Sequence, residues 1–122
     1  MKAVVLCGKG QVEFREVPEP VIGDDDILLE VKACGICGSD LHFYYGRLEP
    51  MGQVPFIMGH EFAVVIAGIG KNVSDYWKIG DRVVSENTGD ACGRCPSCAA
   101  GNFVACAHRQ TMGCSMDGGF TK

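Results

Sequence analysis

Residues 27–42 read ILLEVKACGICGSDLH. In the first half, Ile27, Leu29, Val31 and Ala33 recur at every second position, which is the period of a strand with one face turned to a core. From Cys34 onward, Gly35 and Gly38 punctuate a run that carries two cysteines, a serine, an aspartate and a histidine. Ser39 and Asp40 are both good N-caps, so one or two helical turns are expected after them. A strand that runs out into chemically active residues and then into a very short helix sets the expectation for the chain: mainly β, with function at the strand ends.

Working outward, Lys2 to Cys7 is a short apolar run, Gly8-Lys9-Gly10 is a turn, and Gln11 to Val17 alternates through Val12 and Phe14. These segments predict a hairpin that Pro18 and Pro20 then break. Phe62 to Ile69 is almost continuously apolar and rich in β-branched residues, which predicts a strand buried on both faces, ended or bulged at Gly68 and Gly70. A Gly80-Asp81 turn introduces a further strand at Arg82 to Ser85. A second helical piece is opened by Pro96 and closed by Gly101. Short strands and seventeen glycines point to a small barrel or folded sheet, with a cysteine-rich lobe at about 89–114 inserted without a core of its own.

With 122 residues and 47% hydrophobic side chains the chain makes one domain and buries a core without disulfide staples, so its eight cysteines need another explanation. A formal charge of −4 has the wrong sign for a nucleic-acid partner or an anionic membrane surface. No stretch approaches the roughly 20 apolar residues of a membrane span, and the N-terminus lacks a signal-peptide pattern. A cytoplasmic location is therefore expected, where thiols stay reduced and closely spaced cysteines read as metal ligands or redox centres.

Cys92, Cys95, Cys98 and Cys106 have the spacing C-x2-C-x2-C-x7-C. Four thiolates complete the closed tetrahedron of a structural zinc, with an iron–sulfur cluster or a redox disulfide as the alternatives. His108 is then an exposed side chain. Cys7 and Cys114 are isolated and expected to pack as small apolar residues. Cys34 and Cys37 form another C-x2-C pair, but no long helix follows as a thioredoxin-like couple would need, and no further pair remains to complete a second four-cysteine site.

CGICGSDLH (34–42) and MGHEF (58–62) combine metal-competent residues with glycine. Cys37, His60 and Glu61 make a mixed ligand set suited to a zinc that keeps one position open. A core histidine beside an unrelated surface glutamate fits the same residues. Neighbours on a strand diverge by about 180°, so His60 and Glu61 reach one ion only through an irregular turn, which Gly59 can supply.

GICGSDLH, GHE, GDRVV, the four-cysteine lobe and a final DGGF follow one another in this order. Together they resemble the N-terminal catalytic domain of the zinc-dependent medium-chain alcohol dehydrogenases, nearest the polyol, butanediol and threonine dehydrogenase branch. The resemblance spans the chain and implies a GroES-like, partly open β-barrel with short helices and a zinc lobe. It also implies catalytic zinc on Cys37 and His60, with Glu61 a direct or exchanging ligand and a further ligand beyond Lys122. Ser39 would take the proton of an alcohol whose acidity zinc has raised, and His42 would pass it outward. Asp40 would buttress the site or cap the helix. One departure is Val64, where the family usually has glycine.

Hydride transfer needs a nicotinamide, yet no G-x-G-x-x-G follows any predicted strand; the candidate at Gly8-Lys9-Gly10 fails at Glu13. Residues 1–122 are therefore expected to be a catalytic domain incomplete on its C-terminal side, with the Rossmann domain that binds NAD or NADP outside this chain. The implied function is oxidation of a secondary alcohol, in a homo-oligomer (dimer or tetramer) when complete. A non-catalytic, zinc-stabilised scaffold for protein interaction is the alternative, and it has no use for Ser39 and His42 at their places after Cys37.

Overall fold

A computed structural model describes residues 1–48 and 54–122. Eight strands fall into three open antiparallel sheets; among the described residues they do not close into a barrel. In the first sheet β1 (Lys2–Gly8) lies between β2 (Gln11–Glu16) and β4 (Phe56–Ile57). The second has β5 (Glu61–Ile69) between β3 (Ile27–Gly35) and β6 (Arg82–Val84). The third pairs β7 (Thr88–Asp90) with β8 (Gln110–Thr111) inside the cysteine lobe. The short strands β4, β7 and β8 carry no alternation of their own, and only their partners reveal them.

The core lies where the first sheet meets the first helix, α1 (Gly38–Tyr44). Leu6, Phe43, Phe56, Met58 and Cys114 form one buried cluster, with Phe43 and Phe56 meeting edge to face at 6.4 Å. Ala3, Val5 and Ile57 form a second cluster, with Cys7 packed against it. Cys7 and Cys114 thus pack as small apolar groups. The final residues run beside β1 as an extra rung, with Ala3 bridged to Thr121 and Lys2 and Lys122 exchanging both backbone bonds.

Three expectations are corrected. Val12 and Phe14 alternate along β2, but both are exposed, Phe14 to 88%. The hairpin is held by its backbone ladder to β1, and among the described residues nothing covers its outer face. The strand over Phe62–Ile69 is buried on one side only: Val64 and Ile66 are interior, whereas Ala63 and Ala67 are exposed. Its continuous apolar run reflects the central place of β5 between β3 and β6. On β3, register shifts at Leu28/Leu29 and Val31/Ala33 disrupt the period of two, leaving Ala33 exposed.

Candidate metal centres

The chain leaves the first sheet at β4 and enters the second at β5, and the three residues at this corner, Met58, Gly59 and His60, carry the second ligand segment. Gly59 has φ +91°, a left-handed conformation that turns the chain before His60. Met58 is buried in the core and anchors the corner. Opposite it, β3 ends at Gly35 directly across from Glu61, and two residues later Cys37 starts α1.

This corner brings Cys37, His60 and Glu61 together. One ligand atom from each lies within 4.8 Å of the others. Gly59 therefore supplies the irregular turn that lets adjacent residues aim at one point. Cys37 and His60 are half-buried and Glu61 is exposed, so the cluster is open on the Glu61 side. A β-carbon at Gly35 would lie 3.0 Å from Glu61 Oε2, so glycine leaves room for that carboxylate.

The helix cap is another correction. Neither Ser39 nor Asp40 is the N-cap; Cys37 is, with extended backbone at φ −80° and ψ 155°. Asp40 sits in the first turn and reaches back, its Oδ2 accepting the Cys37 N–H at 2.8 Å. Its other oxygen, Oδ1, lies 3.5 Å from His60 Nδ1, with the Asp40 side chain 3% exposed and that of His60 9%. Among the described residues neither atom has a hydrogen-bond partner. The capping and buttressing roles are thus combined in one carboxylate, which touches both the Cys37 backbone and the His60 ring.

Ser39 Oγ lies 3.1 Å from His60 Nε2. A small rotation that brings Nδ1–H onto Asp40 Oδ1 would leave Nε2 with its lone pair, which accepts the Ser39 hydroxyl in the metal-free chain and is available to a metal. The donor set and the orphaned pair behind it therefore fit a zinc. His42 is exposed on α1, and among the described residues its side chain makes no hydrogen bond. Structure and sequence thus agree on Cys37, His60, Glu61, Ser39 and Asp40 as neighbours, while His42 stands outside on the solvent face.

In the lobe, Gly93 and Gly101 turn the chain around a short second helix, α2 (Pro96–Ala99), with Pro96 at its first position. Cys92, Cys95, Cys98 and Cys106 offer sulfurs that all lie within 4.8 Å of one another. The Cys95–Cys98 and Cys92–Cys106 sulfur pairs are 3.5 and 3.6 Å apart. A disulfide needs about 2.05 Å. A tetrahedron with zinc–sulfur bonds of about 2.3 Å has edges of about 3.8 Å, close to what is seen. Burial, then the neighbouring thiols, push Cys98 up to about 12, whereas the backbone N–H groups of Cys92 and His108 hold Cys106 below the usual thiol range. Crowded thiols resist losing all four protons unless a cation compensates, so a bound cation would suit this cluster. His108 is exposed and contributes its backbone N–H, at 3.4 Å from Cys106 Sγ.

Cys34 is in neither cluster. It is half-buried near the end of β3, and burial raises its thiol pKa, as it does for Cys114. Val64 is accommodated on the buried face of β5, opposite Val31 and Val83. Residues 117–120, a motif without a geometric role in the sequence, bond the corner: Ile57 N donates to Asp117 Oδ1 at 2.8 Å and Phe120 N to Met58 O at 2.9 Å.

The model of the alcohol dehydrogenase GroES-like domain matches residues 23–122, across both clusters. The chain belongs to this family. Among its relatives, the sorbitol dehydrogenase of Bacillus subtilis is 42% identical over 125 residues, covering 100% of this chain and 35% of the relative. Galactitol-1-phosphate dehydrogenase of Escherichia coli superposes with a TM-score of 0.86 at 32% identity, covering 99% of this chain and 34% of that one. A short chain alcohol dehydrogenase of Escherichia coli CFT073, complexed with NADH, has a TM-score of 0.85 at 32% identity, covering 99% and 34%. The chain thus spans about a third of the length of these relatives. Among its described residues no helix is long and apolar enough to cross a membrane.

Proposed function

We propose that these 122 residues are the zinc-binding catalytic domain of an NAD(P)-dependent dehydrogenase that oxidises a secondary alcohol, in a polyol or related sugar alcohol, to a ketone. The observation that carries this reading is the convergence of Cys37, His60 and Glu61 on one point with the buried Asp40 behind His60. The family of the chain and the relatives named sorbitol and galactitol-1-phosphate dehydrogenase support the substrate class. The relative complexed with NADH supports a nicotinamide cofactor. Its binding domain would lie outside these residues, as would a further ligand to the catalytic metal.

Cys37, His60 and Glu61 would hold the catalytic zinc, and Cys92, Cys95, Cys98 and Cys106 a structural one. When bound at the first site, zinc supplies Lewis-acid polarisation of a hydroxyl, lowering its pKa towards neutrality. The chain's own residues do the rest. After the small rotation that closes the 3.5 Å gap, Asp40 would accept from His60 Nδ1 and hold the ring in one tautomer and orientation. Once Nε2 is a ligand, the Ser39 hydroxyl loses its present acceptor and is free to receive the proton of the substrate alcohol. His42, exposed on the same helix, would pass that proton to solvent. The hydride leaves the same carbon for the nicotinamide, so two electrons and one proton go to the cofactor side and one proton to water.

The test is steady-state reduction of NAD and NADP with secondary alcohols and polyols by the zinc-loaded product of the complete reading frame, alongside this chain alone. Turnover by the complete protein, its loss in Cys37→Ala, and two zinc sites but no turnover in this chain are expected. A complete protein that binds both metals and reduces neither nucleotide would leave the domain a zinc-stabilised scaffold.

A further inference from the structure

The corner that presents His60 is clamped by a second segment whose only sequence signature is its glycines. Three successive carbonyls at the corner are all taken by that segment. Gly118 N donates to Ile57 O at 2.8 Å, Phe120 N to Met58 O at 2.9 Å and Gly119 N to Gly59 O at 2.8 Å. In the other direction, Ile57 N donates to Asp117 Oδ1 at 2.8 Å. The approach is backbone on backbone. A β-carbon at Gly118 would lie 2.1 Å from Gly59 O and one at Gly113 2.4 Å from the same atom, while one at Gly59 would lie 2.5 Å from the Phe120 ring. Any larger residue at Gly113 or Gly118 must push the Gly59 carbonyl away, and the next residue is His60.

We propose that Asp117 and Gly118, with Gly113, are positioning residues for His60: they form a lock that sets the Gly59–His60 peptide so that the imidazole faces Cys37 and Asp40. The lock acts through the backbone and touches no ligand side chain. Gly118 owes its requirement to space, whereas Gly113 also has φ +68°. Gly101, at φ +77° with nothing within 4 Å of its β-carbon position, carries the same conformational demand without the contact. The proposal rests on reading Cys37, His60 and Glu61 as metal ligands, and its test separates the two.

Two readouts are taken on this chain: the ring-nitrogen NMR signals of His60 in the metal-free protein, and Co²⁺ titration followed by the spectra of the thiolate lobe and of the mixed site. Asp117→Ala removes the latch without adding bulk. It is expected to shift the His60 ring signals and to weaken Co²⁺ at the mixed site by about tenfold or more, in the range of outer-shell changes at metal sites, while the lobe spectrum stays unchanged. Asp117→Asn keeps an acceptor for Ile57 N and is expected to restore both readouts. Gly118→Ala is expected to do more than Asp117→Ala, and Gly101→Ala to leave His60 unchanged. If Gly118→Ala does not fold, the Asp117 pair decides. Wild-type His60 signals and wild-type affinity in Asp117→Ala would overturn the lock, as would parallel loss of the lobe spectrum, the mark of a general structural role. If the wild-type chain takes up no Co²⁺ that Cys37→Ala removes, the ligand reading fails, and the His60 signals alone decide whether the lock positions the ring.

Discussion

The two cysteine-bearing regions differ in how they are built. The lobe draws all four of its sulfurs from residues 92–106, a segment with two short helical pieces and little apolar burial. The other cluster draws Cys37 from a helix start and His60 and Glu61 from a corner between two sheets. A local site can be closed by the metal that fills it. A site assembled from distant segments needs the core behind it, here Phe43 and Met58 packed with Leu6, Phe56 and Cys114. On this contrast a metal in the lobe would supply the lobe's structure, while the mixed site needs the structure in place before it could hold one.

The strongest challenge to this contrast is to remove one lobe ligand. Cys98→Ala should cost the lobe its metal and about 3 kcal/mol or more of stability, lowering Tm by on the order of 10 °C, because metal affinity in such a segment is folding free energy. Metal analysis and a thermal melt check this, and an unchanged Tm would put the lobe's stability in its own packing. Cys37→Ala should do the reverse. One equivalent of metal and, in the complete enzyme, all turnover should go, while stability changes by roughly 1 kcal/mol or less. A large fall in Tm would mean that the mixed site also holds the fold together.

Ser39→Ala sharpens the contrast within the mixed site. Because Cys37 caps the helix, the capping explanation for Ser39 no longer applies. In the complete enzyme the substitution should lower turnover by about 10²- to 10⁴-fold with both metals retained, as expected for loss of a proton-relay group. Normal turnover would limit Ser39 to its hydrogen bond with His60.

The smallest effect concerns the thiols outside both clusters. Burial raises the pKa of Cys34 and Cys114, which lowers the thiolate fraction at a given pH. With both metals in place, alkylation of these two should be slower than that of a free thiol at pH 8. It should quicken by about tenfold per pH unit until the raised pKa is reached. Cys34→Ala should leave the metal content at its full value. A lost equivalent in Cys34→Ala would return Cys34 to the list of ligands, and fast alkylation at pH 8 would mean that burial does not suppress its thiolate.

How much was legible follows from how local each feature is. The C-x2-C-x2-C-x7-C spacing pointed to the lobe's four candidate ligands, and their sulfurs do lie within 4.8 Å of one another. The hairpin turn, the strand at 27–35 and the short helix were readable from glycines, period and cap-competent residues, although the cap itself moved to Cys37. Burial was less legible. Phe14 and the outer face of β5 are apolar in sequence and uncovered among the described residues, and apolar pattern states what a residue favours, not what lies against it.

The sequence by itself thus determined the candidate ligands, the mainly β class and the turns at its glycines. Only the tertiary structure decided that His60 and Glu61 meet Cys37, that one carboxylate of Asp40 faces both the helix start and the imidazole, and that residues 117–120 clamp the corner from the far end of the chain. The physical reason is range. Spacing and propensity act over a few residues, whereas these contacts join segments that the chain brings together only when β4 and β5 pass from one sheet to the other.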